Sequence, residues 1–397
     1  MKINTKLFWI FALSSAVYFT QGVEGLPGLA LFFFLKEKLG FSAEKIMYIS
    51  SITGLAWLIK PLWGYLADNY LTKKTWILIS LLGSILIASY FGLSPILPLG
   101  MLILMASLGG WTAAMRDTSV DGIMCVSGKE HNECGRIQAL QWASITVASI
   151  IVGLAGGYIA DHFSYKFGYL CLIPIYIIIG TIVLKYRTCV QLNEQKSKFL
   201  DTVKSYKILF THKKFLWACL FLFLYKYSPS FGTPLAFIER DIFKWSGMWM
   251  GTLGAIISGF EILGALIYFR IGKRINLKRW LIASVFLGAT TTLCYLWFTP
   301  VTAVVYGVLF AVLGMLIHLI IMAWMAESTI AGKEATSFAL LCSVSNLAAT
   351  ASSLSGAFLY PKIGLQWLIC ISALTSFVCL PLISKLGLTN GRTDEKR

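Results

Sequence analysis

The stretch LFWIFALSSAVYFTQGVEGLPGLALFFF, from Leu7 to Phe34, decides the class of fold. Its one charged residue is Glu24. The hydrocarbon core of a bilayer is about 30 Å thick and takes roughly 20 apolar residues of helix. The stretch is longer than the apolar core of a signal peptide, and it ends without a small-residue cleavage site. It is therefore predicted to be the first membrane span.

Comparable apolar runs recur from one end of the chain to the other. Of the 397 residues, 57% are hydrophobic and 13% are charged, whereas about a quarter of the residues of a soluble domain are charged. This composition excludes a soluble globular fold, and we predict an all-α membrane protein with twelve transmembrane helices. The predicted spans are 7–34, 46–67, 76–93, 98–124, 136–160, 167–186, 215–238, 247–269, 280–298, 302–326, 335–360 and 365–384.

The net charge of +16 does not indicate a nucleic-acid partner, because the basic residues are scattered among short loops instead of lying on one face. Most of the 34 Lys and Arg residues fall on one side of the membrane when the N-terminus is placed in the cytoplasm. The positive-inside rule therefore predicts a multi-pass protein of a cell membrane, such as a bacterial inner membrane, with both termini cytoplasmic. Anionic lipid is the expected partner of the basic segments 185–214 and 270–279.

No motif of the sequence predicts a metal, a nucleotide or another cofactor. The nine cysteines are spread singly through the chain without a CxxC pair, and no GxxxxGK[ST] loop occurs. Catalytic residues grouped at one depth, which a membrane-embedded enzyme would need, are not found. We therefore predict that the chain is not an enzyme, while a non-transporting membrane sensor or a membrane-embedded enzyme stays the alternative of another class.

The long hydrophilic connection 187–214 divides the chain into two similar halves. We predict an N-terminal six-helix bundle over 1–186, a cytoplasmic linker over 187–214, and a C-terminal bundle with a short cytoplasmic tail over 215–397. The halves repeat at a spacing of about 200 residues, since Gly64 and Asp68 correspond to Gly264 and Tyr268. Two parallel repeats around a site near the membrane midplane is the architecture of the major facilitator transporters.

Several ionisable residues fall inside predicted spans, where each costs roughly 2.5–3.5 kcal/mol on insertion scales. They are Glu24, Lys60, Arg116, Asp117, Asp121, Lys226 and Glu261. Asp117 and Asp121 stand four residues apart on one helical face, where two anions repel each other in a low dielectric. We therefore predict that this pair takes part in proton coupling, with Glu24 and Glu261 as further candidates.

The cations Lys60, Arg116 and Lys226 lie on spans that can face a central cavity, and three cations there favour an anionic organic substrate. The alternative is that each cation neutralises a nearby acid, such as Lys60 with Asp117 or Lys226 with Glu24. Both can hold if a substrate carboxylate exchanges with the internal one. Glu24 and Asp117 are therefore included in the predicted substrate site.

Tryptophans inside the spans offer flat surfaces on which a heteroaromatic substrate could stack. Four lie near polar residues: Trp57, Trp111, Trp142 and Trp324. We select Trp57 and Trp142 for the substrate site. Ordinary packing and contact with lipid are the other explanation for all four.

The segment from Phe32 to Asp68 resembles the folate-biopterin transporter family of the major facilitator superfamily. The resemblance rests on Phe34-Leu35-Lys36 with Leu39-Gly40, on Trp57 and Ile59-Lys60-Pro61-Leu62, on Gly64 to Asp68, on the D-x-x-x-D arrangement of Asp117 and Asp121, and on Gln138 and Leu140. It implies a folate or pterin as substrate and covers mainly the N-terminal half.

A second motif, Gly64-x-x-x-Asp68 followed by Lys73 and Lys74, is similar to the inner-loop motif of the superfamily. In that motif the acid helps to lock the cytoplasmic gate. An aspartate there can favourably meet the positive end of a neighbouring helix, which we expect to be span eleven. We therefore predict gating roles for Gly64, Asp68, Lys73 and Lys74.

Together these observations predict a monomeric secondary transporter that moves a small organic anion, a folate or pterin, by alternating access with proton coupling. The alternative within transport is an exporter or importer of another metabolite or drug, because one fold carries many substrates.

Overall fold

The computed structural model describes residues 5–131, 134–186, 209–271, 276–330 and 334–387, and every regular element in these ranges is a helix. The predicted linker, 187–214, lies outside the described residues as far as position 208. The α-helices are α1 (Thr5–Val23), α2 (Gly28–Phe33), α3 (Ala43–Thr53), α4 (Lys60–Asn69), α5 (Lys73–Leu93), α6 (Leu99–His131), α7 (Cys134–His162), α8 (Tyr165–Lys185), α9 (Lys213–Lys226), α10 (Gly232–Asp241), α11 (Gly247–Ile271), α12 (Leu277–Cys294), α13 (Pro300–Glu327) and α14 (Glu334–Thr375). Shorter helical turns are Phe34–Lys38, Gly54–Trp57, Tyr295–Trp297 and Ser376–Leu386.

In the described part of the chain, nine helical stretches are long and apolar enough to cross a membrane. The last of them, Ser337–Leu386, contains both predicted spans eleven and twelve. Gly364 interrupts it with a φ of 75°, a conformation that glycine adopts at little cost because it has no Cβ. The two predicted spans that are missing from the nine are the first and the seventh, and both are broken helices.

The two broken spans are interrupted at corresponding places. In the first span, helix α1 ends at Val23 and α2 begins at Gly28. In the seventh span, α9 ends at Lys226 and α10 begins at Gly232. Pro27 and Pro229 lie in the two breaks and are separated by 202 residues, as are Glu24 and Lys226. Proline removes a backbone donor and disfavours helix for the residue before it. Matching interruptions in two halves of a transporter are the best sequence indicator of its binding site.

Serine side chains of α14 satisfy the backbone groups that the second break releases. The Ser352 hydroxyl donates to the Ser228 carbonyl, and the Ser230 N–H donates to the Ser352 carbonyl at 2.9 Å. The Ser372 hydroxyl donates to the Pro229 carbonyl at 2.5 Å. Unsatisfied backbone groups are costly in a bilayer, so these bonds allow a break at membrane depth.

The described residues group into two compact units. The first comprises Met1–Phe41, Ile52–Thr202 and Trp245–Ser258, and the second comprises Ser42–Ser51, Val203–Lys244 and Gly259–Arg397. In the first unit α1 packs along α7, and α5 packs against α6 and α8. In the second unit a buried apolar cluster joins α9, α12, α13 and α14 around Phe221, Leu281, Trp324 and Leu341. The predicted six-helix halves, 1–186 and 215–397, stay a prediction.

Within the first unit, α7 and the start of α11 lie unusually close. A Cβ built on Gly251 would lie 2.1 Å from the Gly153 carbonyl oxygen and 2.7 Å from the Gly157 Cα. Asp161 of α7 accepts the N–H groups of Gly247 and Met248, both at 2.7 Å. The carboxylate thereby satisfies two open donors at the N-terminus of α11 and meets the positive end of its dipole.

Alanine in place of Gly251 is expected to lower the free energy of unfolding by about 1–3 kcal/mol, the usual cost of forcing extra atoms into a packed contact. The matched control is Gly254→Ala on the same helix, where a Cβ would meet nothing within 4 Å. Alanine there should be neutral or stabilising, since it favours helix over glycine. Denaturant titration of both variants in one detergent checks this, and equal stability of the two would contradict the close contact.

Candidate functional site

The first unit holds two ion pairs at membrane depth, and the first joins α4 to α6. Lys60 begins α4 and its ammonium binds the Asp117 Oδ2 of α6. The second carboxylate oxygen of Asp117 accepts from the Gln21 amide at 2.7 Å. The Lys60 ammonium also lies 5.1 Å from the centre of the Trp57 ring. The pairing of Lys60 with Asp117, which the sequence left as an alternative, is present.

The second ion pair joins α6 to the break in the first span. Arg116 is fully buried, and its Nη2 binds the Glu24 Oε1. Its Nη1 donates to the Ser84 hydroxyl at 3.1 Å, and its guanidinium lies 5.9 Å from the centre of the Tyr176 ring. The Tyr176 hydroxyl donates to Glu24 at 3.1 Å. Glu24 is thus held by Arg116 and Tyr176, whereas the sequence offered its pairing with Lys226 as one example of the alternative.

The Asp117 and Asp121 carboxylates are both engaged by α1. The Tyr18 hydroxyl donates to the Asp121 Oδ1 at 2.6 Å, one turn from the bond between Gln21 and Asp117. The spacing of Tyr18 and Gln21 places both on one face of α1, which α6 contacts. The two aspartates therefore lie together as predicted, and each is held by its own hydrogen-bond donor.

Four polar partners in this site were not singled out from the sequence: Tyr18, Gln21, Ser84 and Tyr176. A signal for the first two was present, because Tyr18, Gln21 and Glu24 recur at intervals of three in an otherwise apolar span. Such a polar stripe marks the buried side of a membrane helix. Ser84 and Tyr176 gave no comparable signal, and only the packing of α5 and α8 brings them to Arg116 and Glu24.

The second unit contains a half-buried cation at the break in the seventh span. Lys226 is the last residue of α9 and directly precedes the extended residue Tyr227. Among the described residues Lys226 has neither a hydrogen bond nor an ion pair. Glu261 of α11, predicted for proton coupling, also has neither within the described ranges. Of the three predicted substrate-binding cations, Lys226 is therefore the one without a carboxylate partner in the described structure.

The tryptophans divide into stacking candidates and core residues. Trp57 lies beneath the Lys60 ammonium, and Trp142 is half-buried on α7. Trp111 packs at 5.6 Å from Trp63 and remains half exposed. Trp324 has 1% exposure and packs edge-on against Phe221 at 5.1 Å, so it belongs to the core of the second unit and does not offer a substrate surface.

Three of the predicted gating residues, Asp68, Lys73 and Lys74, lie where α4 ends, α5 begins and α8 ends. The Lys73 ammonium donates to Asp68 at 2.6 Å, and Lys74 donates to the carbonyls of Leu184 and Tyr186 at 2.8 and 2.7 Å. A Cβ on Gly64 would only touch Thr118 at 3.7 Å. The side chains at the start of span eleven lie outside the described residues, so the contact of Asp68 with that helix stays a prediction.

The sequence is similar to a known superfamily and to two curated transporters. The sequence model of the Major Facilitator Superfamily matches residues 8–336. The folate-biopterin transporter of a Synechocystis species is 25% identical over 423 aligned positions, which cover 98% of this chain and 84% of that protein. Probable folate-biopterin transporter 4 of Arabidopsis thaliana is 26% identical over 165 positions, which cover 38% of this chain and 32% of that protein.

A solved structure is similar over nearly the whole chain. The crystal structure of the D-xylose-proton symporter superposes with a TM-score of 0.75 and 9% identity, covering 98% of this chain and 99% of that one. This likeness confirms the predicted all-α membrane fold of twelve helices. The similarity to the two folate-biopterin transporters confirms the resemblance that was based on residues 32–68, 117–121 and 138–140.

Proposed function

Because this chain belongs to the major facilitator superfamily, we propose that it moves a small organic anion, a folate or pterin, by alternating access coupled to protons. Membership of this superfamily makes it an integral membrane transporter of a small molecule and not an enzyme. The names of the two relatives support folate or pterin as the substrate. The proposed location is a cell membrane, with the protein monomeric and both termini cytoplasmic.

The proposal of an anionic substrate rests on the charged residues near the two helix breaks. In the first unit, Lys60 and Arg116 are neutralised by Asp117 and Glu24. In the second unit, Lys226 at the corresponding break has no acid bound to it within the described residues. An uncompensated cation at membrane depth costs roughly 2.5–3.5 kcal/mol, unless water or an anionic ligand reaches it. A carboxylate of the substrate supplies that partner.

The paired residues of the first unit have a proposed role of their own. Lys60 is only partly exposed and lies over Trp57, so a flat ring stacked on Trp57 places a polar edge beside its ammonium. A substrate carboxylate there replaces the Asp117 carboxylate as the partner of the Lys60 ammonium. Arg116, Glu24 and Trp142 complete the proposed substrate site. Asp121 and Glu261 are further candidates for proton coupling. Asp68 and Lys73 form the proposed inner gate.

The test uses the purified protein in liposomes with labelled folate outside. Accumulation under an inward proton gradient, lost when a protonophore collapses the gradient, is the expected result. Biopterin, which has no carboxylate, is measured beside folate. If a panel of organic anions gives no uptake while neutral compounds are transported, the proposed substrate class is wrong.

Asparagine in place of Asp117 is expected to reduce gradient-driven accumulation of folate to the level without a gradient. Asparagine keeps the bond to Gln21 but does not gain or lose a proton in this pH range. Exchange of labelled for unlabelled folate, which needs no net proton movement, should therefore persist. Both assays are run between about pH 5.5 and about pH 8, the range spanned by a proton donor poised near neutrality. Exposed Asp241→Asn is the control, and an unaltered pH profile in Asp117→Asn would remove the proton role.

A further inference from the structure

Lys226 lies where an ion needs a partner. It ends α9 at the break in the seventh span, and its neighbour Tyr225 donates to the Ser284 hydroxyl at 2.8 Å. Lys226 itself has no hydrogen bond or ion pair within the described part of the second unit. Membrane-embedded ions without protein partners mark ligand or ion pathways.

His318 of α13 lies at the depth of Lys226. The rings of Phe221 and Trp324 pack at 5.1 Å and fix the level at which α9 meets α13. Lys226 lies five residues beyond Phe221, a rise of about 7.5 Å, and His318 lies six residues before Trp324, about 9 Å. Because spans seven and ten run in opposite directions, the two residues end at the same depth. The Coulombic interaction between Lys226 and His318 agrees with this register.

Few other charged groups face His318. From Ser337 to Tyr360, α14 contains no Asp, Glu, His, Lys or Arg, and α12 has none after Arg279. On α11, Gly264 packs against Val312 and Met315, which places Tyr268 near the level of His318 and Glu261 about 10 Å from it along the axis. By this register, the titratable groups near the level of His318 on the described helices of this unit include Lys226, Tyr225 and Tyr268, with Glu261 more distant.

We propose that Lys226 and His318 together form a cationic site in the second unit that binds a carboxylate of the substrate, with His318 taking up a proton as the anion binds. This proposal rests on the proposed function and specifies where the anion is held. His318 was not among the residues predicted for the site.

The charges explain why proton and anion bind together. Without a ligand, a protonated His318 and Lys226 at the same depth repel each other. A carboxylate between them is attracted to both, so binding of the anion and protonation of His318 favour one another. The ligated site then holds two positive charges and one carboxylate charge, and the proton enters with the anion. Histidine suits this role because its ordinary pKa of about 6.5 lies in the physiological range.

The experiment measures equilibrium binding of folate and of biopterin to purified full-length protein in detergent, without a proton gradient. Folate should bind about tenfold more tightly at about pH 5.5 than at about pH 8, which corresponds to one charge-assisted contact. Its carboxylates remain mostly ionised over this range. His318→Gln should remove the pH dependence of the ratio of folate affinity to biopterin affinity, a ratio in which ionisation of the pterin ring, common to both ligands, cancels. Exposed His212→Gln, just before α9, is the control.

The outcomes separate this inference from the proposed function. If neither folate nor biopterin binds, the proposed substrate class falls and the inference falls with it. If folate binds but His318→Gln keeps the wild-type pH dependence, or if wild type shows none, only the inference is overturned. The same holds if His318→Gln changes biopterin binding as much as folate binding, because the site then does not recognise the carboxylate.

A second variant keeps the proposal testable if His318→Gln does not fold. Arginine in place of His318 carries a permanent charge, because its guanidinium is not deprotonated in proteins. It should bind folate at pH 8 as tightly as wild type does at about pH 5.5, with no further tightening on acidification. Persistent pH-dependent affinity in His318→Arg would overturn the assignment of the proton to this residue.

Discussion

Methionine in place of Lys226 is expected to weaken folate binding by roughly tenfold to a hundredfold while leaving biopterin binding unchanged. Methionine keeps the length of the side chain and removes its charge. A hydrogen bond to a charged group contributes about 1.5–3 kcal/mol, and each 1.4 kcal/mol is a factor of ten in affinity. Because Lys226 has no acid bound to it in the described structure, its removal leaves no internal carboxylate without a partner.

The controls for this prediction lie on the same helix. Lys213→Met removes an exposed lysine at the start of α9 and should leave folate affinity unaltered. Lys226→Arg keeps the positive charge and should retain most of the affinity. Equal folate affinity of Lys226→Met and wild type, with the protein folded, would show that the anion is bound elsewhere.

Methionine in place of Arg116 is expected to destabilise the protein by about 3–5 kcal/mol, the cost of removing one member of a buried ion pair. Arg116 has 0% exposure and bonds to Glu24 and Ser84. Its loss leaves the Glu24 carboxylate, among the described residues, with the Tyr176 hydroxyl as its donor. Denaturant titration in one detergent measures the change in stability, and exposed Arg136→Met in the same unit should shift it by less than about 1 kcal/mol.

The double variant Arg116→Met with Glu24→Gln separates the ion pair from packing. If the penalty comes from an unpaired carboxylate, neutralising Glu24 should restore about 0.5–3 kcal/mol, the usual range of coupling between contacting residues. Additive effects of the two substitutions would instead assign the penalty to the lost packing of Arg116. That result would contradict the electrostatic explanation, although it would not alter the fold.

The pairing of charges shows where reasoning from the sequence stopped. Lys60 with Asp117 and Lys226 with Glu24 were two examples of the alternative in which each cation neutralises a nearby acid. The first pair is present, whereas Glu24 is bound to Arg116 and Tyr176. Residues on different helices come together according to the rotation and tilt of each helix, and packing against neighbours sets both. The ionisable residues in the spans could be counted from the sequence, but their partners could not.

The breaks in the first and seventh spans are a second case. Gly22, Gly25, Pro27 and Gly28 were visible in the first span, yet the apolar run predicted one helix over 7–34. Hydropathy averages over many residues and does not detect a gap of four or five. Pro229 gave a weaker signal, because its break depends on Ser352 and Ser372 of α14, far away in the sequence.

The sequence by itself determined that the chain is an α-helical membrane protein, how many spans it has, and which ionisable residues those spans carry. These properties follow from the length of apolar runs relative to the bilayer, which is a local quantity. Only the tertiary structure decided that Lys60 and Arg116 are neutralised while Lys226 is left without an acid among the described residues, and that His318 lies at its depth. Such relations depend on the register between helices, which is set by packing contacts such as that of Phe221 with Trp324.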